Sequence, residues 1–219
     1  MPTTSRSRPR RVDRRTRAAR ADQRDGRAAL LEAALEVFAD RGYRDATVDE
    51  IAARAGYSKG AIYFHFSAKE DLFFALLEER IDAPLYMGLE LLATGPPDQD
   101  MSVEASRQFT ETLREQCDAL LLDQEFRSLA IRDRRLRRRY VERQRRRRSA
   151  MADALRARLE HLGAPPSENP DRMAGTILAL IGGLYQEKLI DPDGLPDDSL
   201  GEMLALSFAG YVARASARA

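Results

Sequence analysis

The chain offers few groups suited to covalent or metal chemistry. Among 219 residues it carries two histidines, His65 and His161, and a single cysteine, Cys117. It has no P-loop, no GxGxxG after a strand pattern, no HExxH and no paired Cys-x-x-Cys. That inventory argues against an enzyme and implies no cofactor or metal. Contact chemistry is concentrated instead between positions 47 and 69. Thr47 and Ser58 are hydroxyls where helices begin, and free amides at a helix start favour a phosphate oxygen. Lys59 and Lys69 are two of only three lysines, while 33 of the 36 basic residues are arginine, the bias of a GC-rich genome. A compact, mobile ammonium suits a phosphate contact, so these two lysines carry more weight than any single arginine.

Helix signals place these groups. Thr47 with Glu50 three residues on forms a capping box, contributing on the order of 1 kcal/mol to the start of a helix. Ile51, Ala52 and Ala55 supply its apolar face. Gly56 stops it with a turn that needs positive φ, and Ser58 caps the next helix, which runs through Ile62 to Phe66. Two short helices joined by so tight a turn form a helix-turn-helix, whose second helix is shaped to enter a DNA major groove. Lys59, Gly60 and Ala61 make the first turn of that second helix. Gly60 costs roughly 1 kcal/mol of helix propensity against Ala, which close approach of the backbone to DNA would explain. A preceding helix over about 24–40 buries Leu30, Leu31, Ala34, Leu35 and Phe38, and Gly42 ends it. Ser67 with Glu70 predicts a second capping box, placing Lys69 at a helix start as a clamp on flanking phosphates.

From about Gly26 to Leu72 the sequence resembles the DNA-binding domain of the tetracycline-repressor (TetR) family of bacterial regulators. The matching pieces are AALLEAALEVFADRGY, T-V-D-E-I-A, A-G-Y-S-K-G, the Y-F-H-F run and Lys69 after Ser67; Tyr57 departs from the small aliphatic usual in the family. The resemblance implies that Tyr63 and His65 donate to the sugar-phosphate backbone. It also implies a small-molecule effector in the following domain, acting through the helix that starts near Ser67. Candidate pocket residues are Phe74, Leu77, Tyr86 and Met87 on one stretch, then Phe109, Leu113, Phe126 and Tyr140 further on.

Beyond residue 72 every segment reads as helix: 67–83 ended or kinked by Pro84, 85–92, 102–122, a short helix from Asp123 to Ile131, and a long one over 133–162. The last two span about 170–190 and 196–215. Their apolar arcs are too wide for one stripe, which predicts a core on one side and a second subunit on the other. Leu178, Ile181, Gly182, Tyr185, Leu204, Phe208 and Tyr211 are the candidate interface of a four-helix homodimer contact.

Charge is unevenly spread. Residues 1–66 carry net +5, 67–131 net −9, 132–148 net +9 and 149–219 net −4. The basic 132–148 block reads as a solvated face offsetting the acidic segment, or as a second nucleic-acid surface. Residues 1–25, arginine-dense and almost without large apolar groups, read as a disordered basic arm. No apolar run approaches the ~20 residues of a membrane span, and one cysteine fits a reducing cytoplasm.

The expected protein is all-α, with about nine helices: arm 1–25, DNA-binding domain 26–72, and effector-binding and dimerisation domain 73–219. The expected function is a cytoplasmic regulator, a repressor that binds an inverted-repeat DNA operator as a homodimer and is released by an effector. The alternative is an architectural DNA-binding protein without sequence preference.

Overall fold

The described residues form helices and no strands, as the absence of alternating apolar and polar runs dictates. The computed structural model describes residues 14–96, 101–163 and 170–216, with side chains from Gly26 onward except at 102, 208, 209 and 211–216. In chain order the helices are α1 (Arg14–Asp45), α2 (Val48–Ala55), α3 (Lys59–His65), α4 (Lys69–Leu77), α5 (Ala83–Thr94), α6 (Met101–Glu115), α7 (Cys117–Arg132), α8 (Arg134–His161), α9 (Pro170–Ile190) and α10 (Ser199–Ser216). Between α4 and α5 a π-helical turn, Glu78–Asp82, continues the helix without a loop. Counted as one bent rod, α4 to α5 brings the total among the described residues to nine.

Several boundaries differ from the sequence pattern for identifiable reasons. The backbone is already helical from Arg14, so the second half of the expected arm extends α1; residues 1–13 lie outside the described chain. Pro84 sits in the first turn of α5, and the backbone ahead of it widens to π geometry, with the Ala83 amide donating to the Glu78 carbonyl. The break after α6 falls at Gln116 rather than at Asp123, which lies inside α7. Ser67 is not a cap: α4 starts after Ala68 with no side-chain hydrogen bond at its N-terminus. Asp133 does cap α8, accepting from the amides of Arg135 and Leu136, which holds its carboxyl below the usual range.

The first hydrophobic core runs without interruption from Leu30 of α1 to Tyr140 of α8. Its centre is aromatic. Phe126 of α7 stacks on Phe73 at 4.7 Å and meets Tyr43 at 4.8 Å and Phe74 at 5.1 Å edge-on. Leu77 and Phe126 are fully buried here and Phe74 nearly so, and Leu113 packs against the same cluster. The three-helix head therefore shares its core with α7, across the boundary expected at residue 72. A second core joins α5, α6, α8, α9 and α10 through Leu89, Phe109, Met151, Leu155 and Ile177.

The basic block on α8 has a structural use that its charge count hides. Arg135, Arg139, Arg143 and Arg147 are spaced four apart, so they line one face of the helix. Arg135 meets Glu70 at 2.7 Å and Arg139 meets Asp71 at 2.5 Å, both acids in the first turn of α4. Arg143, 1% exposed, grips both oxygens of buried Asp82 at 2.7 Å and reaches Asp123 at 2.6 Å. All four arginines of the stripe thus face acids of the 67–131 segment, Arg147 meeting Asp82 at 3.4 Å, as the solvated-face reading anticipates in sign but not in burial. Replacing Arg143 by Met should cost roughly 3–5 kcal/mol in urea unfolding, because Asp82 would keep a buried charge with its bidentate partner gone.

Candidate nucleic-acid interface

The head is built from local signals that agree with one another. At the start of α2 the Glu50 amide donates to the Thr47 hydroxyl at 3.2 Å, and the Thr47 amide donates to the Glu50 carboxylate at 3.0 Å. That closed box holds the Glu50 carboxyl below its usual range through the Thr47 hydrogen bonds. Gly56 takes φ 71°, a left-handed conformation that glycine accepts freely, and turns the chain toward α3. Ser58 caps α3 by accepting from the Ala61 amide at 3.3 Å. Only Ile62 of α3 is fully buried, with Phe66 just beyond its end also in the core.

The remainder of α3 faces outward. Ser58, Lys59, Gly60 and Tyr63 are exposed, Ala61 and His65 partly so, and Phe64 is 71% exposed. A methyl built on Gly60 would meet nothing closer than the Ser58 hydroxyl at 3.6 Å, an ordinary contact. Nothing inside the protein therefore requires glycine there. Lys59 pairs with Asp49 of α2 at 2.9 Å, a hydrogen bond that raises its pKa, yet both side chains are more than half exposed. A surface pair of that kind contributes about 0–1 kcal/mol and yields readily to a phosphate. His65 stands edge-on to Phe64 at 5.1 Å, and its imidazole comes close to Gly26 of α1, as does the Tyr57 hydroxyl.

Lys69 is placed differently from the sequence reading. Its ammonium donates to the carbonyls of Tyr43, Arg44 and Ala46 at 2.8, 3.0 and 2.9 Å, filling all three donors, and lies over the Tyr43 ring. Partial burial lowers its pKa. The expected phosphate clamp is here a staple between the start of α4 and the end of α1. No sequence signal marks it, because the accepting carbonyls are exposed only by the break at Gly42 (φ 73°).

A cavity of about 320 Å³ opens beside the second core, between α5, α6, α8, α9 and α10. Of the candidate pocket residues it takes Phe109 alone. Phe74, Leu77, Leu113 and Phe126 belong to the first core instead, since α7 packs them against the head. Met87 points to solvent at 66% exposure, and Tyr86 packs against the second core outside the cavity wall. Tyr140 lines a neighbouring, more polar cavity of about 300 Å³. The residues missed by sequence reasoning are mostly aliphatic (Leu85, Leu89, Leu92, Leu155) and indistinguishable in sequence from core.

Several candidate interface residues also turn inward. Ile181 and Tyr185 sit between the two cavities, Leu204 lines the first, and Leu178 and Gly182 line the second. Among the described side chains, the large apolar groups left exposed on the last two helices are Ile190, Met203 and Leu206, at 77%, 39% and 61%. Phe208 and Tyr211 lie outside the described side chains.

A helix-turn-helix whose second helix is free of cover, set on a helical body with an apolar cavity, defines a DNA-binding regulator of the helical class. Residues 30–76 match the family model described as bacterial regulatory proteins, tetR family. Residues 99–209, half of the chain, match the model of the BetI-type transcriptional repressor C-terminal domain. The chain belongs to the TetR family of transcriptional regulators. It is 54% identical over 61 residues to the transcriptional activator FasR of Mycolicibacterium smegmatis, a stretch covering 28% of this chain and only 27% of that one. SmeT, repressor of the multidrug efflux pump SmeDEF of Stenotrophomonas maltophilia, shares the fold at TM-score 0.60 and 25% identity, over 85% of this chain and 90% of that one. A further structure of SmeT is its complex with triclosan. A TetR-family member from Streptomyces coelicolor A3 superposes at TM-score 0.63 with 22% identity, over 83% of this chain and 97% of its own. Among the described residues no helix is long and apolar enough to cross a membrane.

Replacing Gly60 by Ala should separate stability from binding. Helix propensity predicts a gain of about 0.5–1 kcal/mol in thermal unfolding, while a methyl at the contact surface should weaken operator binding by about tenfold or more in a gel shift.

Proposed function

We propose that the protein is a ligand-responsive repressor that binds an inverted-repeat operator as a homodimer. The observation carrying this reading is the outward face of α3, where Ser58, Lys59, Gly60, Ala61, Tyr63, Phe64 and His65 are wholly or partly exposed while Ile62 anchors the helix. Such a helix, seven residues long, presents donors and an uncrowded backbone to a groove. Thr47, at the start of α2, faces the same solvent and places amides toward a flanking phosphate. The first 25 residues hold nine of the 14 basic side chains in 1–66, so much of the sequence-independent attraction to DNA is assigned to them.

The second copy of the chain is assigned to the exposed apolar positions of α9 and α10, Ile190, Met203 and Leu206 among them. The effector is assigned to the 320 Å³ cavity, near the lower end of the usual range for small-molecule sites. Leu85, Leu89 and Leu92 of its wall belong to α5, which continues through the π turn into α4 and so to the head. A molecule that binds one setting of that rod more tightly than the other shifts operator affinity by the difference alone.

Light scattering should give about twice the 24.7 kDa chain mass, and footprinting should show two protected half-sites roughly 10 base pairs apart, or a multiple of that, related by two-fold symmetry. A monomer that protects no discrete site and is removed entirely by random competitor DNA would favour the architectural reading instead.

A further inference from the structure

The polar lining of the 320 Å³ cavity points to a class of effector, and this inference rests on the cavity being the effector site. Its wall is mostly aliphatic, with two arginines and one carboxylate. The carboxylate, Glu104, is held by Arg107 through contacts of 2.5 and 3.0 Å. One arginine, Arg158, is engaged by the carbonyls of Gly95 and Pro96 at 2.7 and 2.9 Å and fixes the loop after α5. The other, Arg147, is in a different position.

Arg147 is 11% exposed, and its nearest anion is the Asp82 carboxylate at 3.4 Å. Both Asp82 oxygens are already committed to Arg143 at 2.7 Å. The buried Arg147 Nε has no hydrogen-bond partner, a costly state for a guanidinium. The side chain stands in the wall shared by the two cavities, together with Ile81, Ile181 and Tyr185. Around it, Arg127 and Arg148 line the second cavity together with Asp123, whose carboxylate already meets Arg143. The site has an excess of positive charge and one poorly satisfied donor.

We infer that the cavity takes an amphiphile with one anionic head, seated on Arg147, and an apolar tail lying along Leu85, Leu89, Met151 and Leu155. The Tyr185 phenol, which accepts from the Thr112 hydroxyl and whose pKa burial raises to about 12, adds one neutral donor beside the same wall. A quaternary ammonium is the wrong occupant. Phe109 and Tyr185 stack on each other at 4.2 Å instead of offering two free faces, and Glu104 is already neutralised. Seating an anion on Arg147 would also draw it from Asp82, which lies in the π turn joining the cavity wall to α4.

The test titrates the full-length protein calorimetrically with decanoate, decanol and decyltrimethylammonium, and follows operator binding by gel shift with each. The wild type should bind decanoate roughly 10–100-fold more tightly than decanol, the worth of a charge-assisted hydrogen bond. Arg147→Gln should bring the two within about threefold with decanol affinity unchanged, and Arg147→Lys should retain a preference for the acid. Equal affinity of the wild type for acid and alcohol, tightest binding of the ammonium, or an acid preference surviving in Arg147→Gln would each overturn the inference. If decanol still weakens operator binding in those cases, the effector-site assignment stands without it. Failure of all three probes both to bind and to alter operator binding would overturn the assignment as well.

Discussion

Much of this structure depends on one ladder of charge between α8 and the rod that carries the DNA-binding head. Arg135, Arg139 and Arg143 meet Glu70, Asp71 and Asp82 in order along the two elements. The outer rungs are partly exposed and individually weak, while the Arg143–Asp82 rung is buried and cannot lose one partner cheaply. The rungs differ in consequence: the buried pair fixes where the π turn sits, and the outer pairs orient the first turn of α4. Lys69 in that same turn ties it to the end of α1, and Glu125 of α7 accepts from the Tyr43 amide at the same place. The head is thus attached to the body by polar contacts grouped around a shared aromatic core.

The parts of the fold legible in the sequence are those set by neighbours in sequence. The Thr47–Glu50 box, the turn at Gly56 and the cap at Ser58 are short-range geometry, and residue type alone nearly determines them. Ser67–Glu70 satisfies the same pattern and fails: α4 starts one residue later, after Ala68, and Glu70 meets Arg135, a partner 65 positions away. Lys69 looks like a phosphate ligand for as long as the carbonyls left open at Gly42 are out of view. The basic block of 132–148 reads as a solvated face, yet its four-residue spacing already places Arg135, Arg139, Arg143 and Arg147 on one side. What no pattern supplies is the acidic face opposite. The cavity was least legible, since aromatic residues were the natural candidates and the head's core claimed most of them.

For function, the division of labour follows from charge and exposure. On α3 the charge of Lys59 is paired with Asp49 of α2. Contact specificity and bulk attraction are therefore assigned to different parts of the chain, the first to α3 and the second to the arginines ahead of Gly26. The bent rod from Lys69 to Thr94 joins the cavity wall to the head, and α7 and α8 share the head's core beside it.

A charge-swap cycle at the Arg139–Asp71 rung, read out as operator affinity of the full-length protein, examines that dependence most directly. Arg139→Asp and Asp71→Arg should each weaken operator binding, and the double exchange should recover most of the loss, because the opposed charges again hold the first turn of α4. Single exchanges without effect on the operator, or a double exchange no better than the worse single one, would show that the head keeps its setting by other means.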